Sequence, residues 1–274
     1  SANATVFLNI PDSHDMGDAY VEKYKKPACF REELKTNVFS SAAKIEIGNN
    51  INIARIAAYV VLKDRPNLMT IHFFAVDHAE HVQGRNGEMV KSAVSDADSG
   101  VAIIIDALKK ADIWDNTVIM VGGDHGFVDV KTVVSPNVWL SEAGLANDVK
   151  KDDWKAQFFT VGGSAYLYVK NDDKQVLEQV KRILAQLPEG RKKLFEIVDR
   201  KKIAEIGGNP EVALALTGLN GTAFGNAFMG KDVKAGHGGA HGYFPDFREI
   251  QTGFIAFGPG IKKGGVIPEM NLRD

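Results

Sequence analysis

Carboxylates and imidazoles gather in three short stretches of this chain. VDHAEHVQG holds Asp77 and His81, GGDHGF holds Asp124 and His125, and GAHGYFP holds His241. Imidazole nitrogen mixed with carboxylate oxygen suits zinc better than the all-oxygen shells taken by calcium or magnesium. The chemistry this set points to is zinc-dependent hydrolysis. Asp77 and His81 stand four residues apart, so a tight loop or a first helical turn aims both at one cation roughly 2 Å away. Each pair alone has an equally good structural explanation, because an Asp after a strand is a common N-cap or turn former. The weight lies in the joint occurrence. His237, in the same loop as His241, and His78, beside Asp77, compete for the ligand role. Gly236, Gly238, Gly239 and Gly242 let backbone approach an ion closely, and would serve equally in a loop that binds nothing. His14 and His72 read as structural.

The elements that must position these residues are legible from periodicity. Apolar residues Ile53, Ile56, Ala57, Val60 and Val61 recur at spacings of three and four after Asn49, and Pro66 stops the run, which predicts a helix packing one face. NLMTIHFFAV, Asn67 to Val76, is a nearly continuous apolar run and predicts a strand covered on both faces of a parallel sheet, with Asp77 at its carboxyl end. Glu88 to Ala111 returns to helical spacing, with Gly100 as a mild interior weakness. Thr117 to Val121 is a short β-branched strand broken by Gly122 and Gly123 just before Asp124 and His125. Strand, helix, strand with polar residues at both strand ends is a βαβ pattern, and open α/β sheets bind ligands at the carboxyl ends of their strands.

Beyond Lys131 the pattern changes. Ser164–Val169, Leu194–Asp199 and Val212–Leu216 read as strands and Lys174–Leu187 as a helix, before Phe254–Gly258 gives another buried strand. The expected organisation is a metal-binding α/β core from residues 1–130 and 235–274, interrupted by an inserted α+β cap at 131–234. Trp139, Trp154, Phe158, Phe159, Tyr166 and Tyr168 lie in the insert, and the alternation in SAYLYV is explained by core packing rather than by stacking on a base.

Composition narrows the partners. The chain has 274 residues, 45% hydrophobic and 25% charged, enough apolar material for one large core or two modest ones. A formal net charge of -2 without a long basic run argues against a polymeric nucleic-acid partner. Cys29 is the single cysteine, which excludes an intramolecular disulfide and a thiolate zinc site of the CxxC type. No apolar stretch reaches the roughly 18 to 20 residues needed to span a bilayer, and no signal peptide is read at the N-terminus.

VDHAEHVQG, GGDHGF and AHGYFP, in that order, resemble the type I phosphodiesterase and nucleotide pyrophosphatase family of the alkaline phosphatase superfamily. Its members carry a D-x-x-G-H-like element after one strand, S-D-H-G after the next, and H-G-Y before the final core strand. Here Ala79-Glu80 stands where glycine usually precedes the histidine, and Gly123 where serine usually precedes Asp124. Neither change removes a ligand atom. The resemblance covers most of residues 45 to 265. It implies an alkaline-phosphatase-like fold, α/β with a largely parallel sheet flanked by helices.

The same resemblance implies two zinc ions, with Asp77, His81 and His241 at one and Asp124 and His125 supplying part of the other. The implied reaction is hydrolysis of phosphodiester or pyrophosphate bonds in nucleotides or related small molecules; no membrane partner is expected of this chain, because its apolar stretches are too short to span a bilayer. The family's Thr or Ser nucleophile would lie upstream of residue 1, since Thr5, Ser13, Ser40 and Ser41 lack the strand-then-helix setting that fixes an attacking oxygen. This chain is accordingly expected to be an interior piece of a longer enzyme, inactive alone, with an uncovered sheet edge open to self-association. A periplasmic or extracellular location is implied as well. The alternatives are a catalytically inactive metal-binding module, or another activity of the superfamily such as phosphonoacetate hydrolase or phosphomonoesterase.

Overall fold

The computed structural model describes residues 7–8, 25–39, 49–147 and 153–272. Thr5, Ser13, His14, Ser40 and Ser41 lie outside the described residues. In chain order the elements are β1 (Phe7–Leu8), β2 (Lys25–Lys26), α1 (Phe30–Asn37), α2 (Asn50–Asp64), α3 (Ala75–Gln83), α4 (Glu88–Lys110), β3 (Ile119–Gly122), β4 (Val128–Asp129), β5 (Thr132–Val134) and α5 (Pro136–Glu142). They continue with β6 (Ala156–Thr160), β7 (Ser164–Val169), α6 (Lys174–Gln186), α7 (Glu189–Lys192), β8 (Phe195–Asp199), α8 (Arg200–Glu205), β9 (Leu214–Gly218), β10 (Thr222–Phe224), β11 (Val233–Ala235), β12 (Gly239–Ala240) and β13 (Phe254–Phe257). The chain divides into two units, one of residues 1–79, 88–121 and 254–274, the other of 80–87 and 122–253.

In the first unit α2 starts where the Asn49 side chain accepts a hydrogen bond from the Ile51 amide at 2.8 Å, and it ends at Arg65 in left-handed backbone ahead of Pro66. Its buried stripe of Ile53, Ile56, Ala57, Val60 and Val61 is the one read from spacing. Ile56 and Val60 pack with Phe30 and Leu34 of α1, and Val61 packs with Ala107 and Leu108 of α4. Gly100 is less a weakness than a contact point. A methyl group there would lie 2.9 Å from the Phe73 ring and 3.3 Å from the Ala54 methyl, so a larger residue would have to displace the ring.

The segment from Asn67 to Val76 departs from expectation. Residues 67–74 join no strand ladder, Leu68 is 84% exposed, and Ala75–Gln83 is helical. Asp77 thus sits in a first helical turn rather than at the end of a strand, and the strand expected to enclose His72 is not formed. An apolar run codes for extended backbone, but a strand also needs a partner for its amides and carbonyls.

The second unit is built on an antiparallel sheet in the order β6-β7-β9-β8. Helix α6, capped by the Asp173 carboxylate on the Gln175 and Val176 amides, buries Val180 and Leu184 with Phe158, Leu167 and Leu216. Buried Asn137 closes the same core by donating to and accepting from the Phe158 backbone, both at 2.8 Å. Smaller ladders complete the unit: β5 runs parallel to β10 and antiparallel to β11, and β4 runs antiparallel to β12. The chain is therefore a mixed α/β fold, and among the described residues its sheets are several and small rather than the largely parallel sheet expected. Side-chain pattern marks which segments extend, whereas strand direction is set by connections that the pattern does not encode.

Candidate metal centre

Two rungs of backbone pairing assemble the histidines of the second unit. Gly239 stands opposite Asp129 and Ala240 opposite Val128. Continuing that register by one residue puts His241 across from Phe127, and their rings lie 5.3 Å apart at 68°. Phe127 is 2% exposed. Around its ring His81 packs edge-on at 4.9 Å and His125 tilts at 5.6 Å. His125 and His241 stack at 3.9 Å and 15°, and His81 lies 5.1 Å from His241. Three imidazoles from separate sequence motifs thus share one phenyl platform.

Each ring has an identifiable support. His81 belongs to α3, and its Nδ1 lies 3.0 Å from the Gly239 carbonyl oxygen. A carbonyl only accepts, so Nδ1 carries the proton and the lone pair of the neutral ring is at Nε2, the arrangement in which a second partner orients a metal-binding imidazole. His125 and Asp124 are adjacent. The His125 amide donates to Asp124 Oδ1 at 3.1 Å, and the two side chains come within 3.6 Å, with Asp124 71% exposed and His125 28%. A ring nitrogen of His125 and one of His241 lie within 4.8 Å of each other. Asp77 stands one helical turn ahead of His81 on α3, a spacing that places both on the same helical face. His78 and His237 are exposed.

The aromatic platform and the backbone supports were not foreseen from sequence. Phe127 lies inside the GGDHGF motif, but a phenylalanine after a glycine carries no mark of what will surround it. Tyr243, two residues beyond His241, is buried at 5% exposure and donates its hydroxyl to the Thr222 carbonyl at 2.9 Å. Burial pushes its phenol up to about 12, so it stays a donor.

The chain is similar to several characterised proteins. The mouse (Mus musculus) ectonucleotide pyrophosphatase/phosphodiesterase family member 3 is 24% identical over 219 residues, covering 77% of this chain and 23% of its own length. Among solved structures, murine ectonucleotide pyrophosphatase/phosphodiesterase 5, an inactive variant in complex with AMP, aligns with a TM-score of 0.53 at 18% identity, covering 76% of this chain and 51% of that one. The human protein 5 aligns with a TM-score of 0.55 at 16% identity and the same coverages. The chain therefore spans about half the length of these structures and about a quarter of the mouse relative. The family model for type I phosphodiesterase / nucleotide pyrophosphatase matches residues 5–244, a span that takes in Asp77, His81, Asp124, His125 and His241, and the chain belongs to that family.

Proposed function

We propose that this chain supplies metal ligands to a hydrolase of phosphodiester or pyrophosphate bonds in nucleotides or similar small molecules. The observation that carries the reading is the gathering of His81, His125 and His241 around Phe127. Ligands of one tetrahedral zinc with bonds near 2.0 Å stand roughly 3.4 Å apart, a spacing that side-chain adjustment reaches from the cluster seen here. The donor set of imidazole and carboxylate, without thiolate, fits a catalytic rather than a purely structural zinc site. In this reading Asp77, His81 and His241 hold one zinc, and Asp124 and His125 belong to a second. When bound, a zinc pair supplies Lewis acidity that stabilises charge on a phosphoryl group undergoing displacement.

The chain's own residues do the positioning. Gly239 holds the His81 ring in the tautomer that presents Nε2. Phe127 walls the three histidines on one apolar side and fixes how their rings are disposed around it. The AMP bound to the murine relative supports a nucleotide-like substrate, and the relatives' designation as ectonucleotide enzymes supports a site outside the cytoplasm. Among the described residues no helix is long and apolar enough to cross a membrane.

Zinc titration of metal-free protein tests the reading. Ligand at 100 times its Kd raises folding stability by about 2.7 kcal/mol, so the melting temperature should climb with zinc in the parent chain and stay flat in His241→Ala. No rise in the parent chain would sink the metal assignment. Zinc stabilisation without hydrolysis of an aryl phosphodiester, with hydrolysis restored by the upstream sequence, would assign the chain the ligand-holding role within a longer enzyme.

A further inference from the structure

The turn between β6 and β7 touches His241 in a way that neither the motifs nor the ligand set accounts for. Val161, Gly162 and Gly163 lie against Gly242, His241 and Tyr243. The Gly163 amide donates to the His241 carbonyl at 2.7 Å. Gly162 has φ 70°, and a methyl group there would lie 2.5 Å from that same carbonyl oxygen. Any side chain on Gly242, at φ 79°, would collide with the Val161 carbonyl, and one on Gly163 would enter the Tyr243 ring. The contacts at Gly162 and Gly242 are backbone against backbone, so no rotamer change relieves them. The turn is itself anchored in the sheets. The Phe224 amide donates to the Gly162 carbonyl at 2.7 Å, and the Gly218 amide to the Gly163 carbonyl at 2.9 Å.

We infer that the Val161–Gly163 turn is a positioning element for His241 as a metal ligand, with Gly162 the residue on which that positioning turns; the inference rests on the zinc reading above. Two sheets then do more than cover a site. Through Phe224 of β10 and Gly218 of β9 they fix the turn, and through Gly163 they fix the carbonyl of the residue whose ring stacks on His125. A ligand constellation tolerates displacements of only about 0.5 Å, and alanine at position 162 must push the His241 backbone by an amount of that order to reach an ordinary carbon–oxygen contact.

The test compares Gly162→Ala with Gly207→Ala. Gly207 has φ 77° and nothing within 4 Å of an added methyl group, so its variant reports left-handed strain without displacement of a neighbour. Zinc affinity is measured for folded, metal-free protein by competition with a chromophoric chelator. Gly162→Ala should bind zinc about 10 to 100 times more weakly than the parent chain, the usual effect of disturbing a support of a metal ligand, while Gly207→Ala should match the parent. A parent chain that binds no zinc defeats the metal reading and the inference together. A parent chain that binds zinc and a Gly162→Ala variant within twofold of it defeats the inference alone. Should Gly162→Ala fail to fold, hydrogen exchange on the parent chain decides. Zinc should slow exchange of the Gly163 amide at least tenfold and leave the Gly207 amide unchanged, and an unaltered Gly163 rate overturns the proposal.

Discussion

Replacing Tyr243 by phenylalanine removes one oxygen and leaves the ring that packs on Gly163, so its consequences can be worked out in sign and size. Below pH 10 the variant lacks the donor to the Thr222 carbonyl, which lies in a residue only 1% exposed. Leaving that acceptor unpaired costs about 1 to 2 kcal/mol. In the folded parent chain burial pushes the phenol up to about 12, against about 10 for an ordinary tyrosine. Between those two values the unfolded chain has released a proton that the folded chain still holds, so stability falls as pH rises. The full loss is about 2.7 kcal/mol above both values, and about 1.4 kcal/mol is gone by pH 11. Tyr243→Phe has no such group to titrate. The parent chain should therefore be the more stable at pH 8, and the two should converge near about pH 11. Urea denaturation followed by circular dichroism at steps from pH 8 to 11 gives the difference curve, in which other tyrosines and lysines cancel. A constant offset across that range would refute the argument, because it would mean that burial does not hold Tyr243 neutral.

Phe127→Ala should lower stability by about 3 to 5 kcal/mol, the usual result of emptying a buried aromatic site, and should broaden the ring resonances of His81, His125 and His241 in NMR spectra. A loss below about 1 kcal/mol would show that the phenyl ring is not the support described. Asp232 accepts two hydrogen bonds from Arg191, at 3.0 and 3.1 Å, and one from the Trp139 indole at 3.0 Å. The Arg191 guanidinium holds its carboxyl below the usual carboxylate range, so its contribution is present above the unfolded value and is lost as pH falls through the folded one. Asp232→Asn should be less stable at neutral pH and show a shallower acid limb in denaturation curves; parallel limbs would contradict this.

Local order was already written in the chain. Helix α2 follows from its apolar spacing, the Asn49 cap and Pro66, and β7 from the alternation of Ser164–Val169, because each depends on neighbours within a few residues. The order of the three motifs likewise pointed to the family that the comparisons establish. Tertiary structure decided what no window of sequence contains. The apolar run at 67–74 stays out of any ladder, since pairing depends on a partner elsewhere in the chain. The β4–β12 register, not the spacing of the motifs, seats His241 opposite Phe127. Gly162 resembles any turn glycine until the His241 carbonyl is found against it, because side-chain type records local preference while contact records the path of the whole backbone.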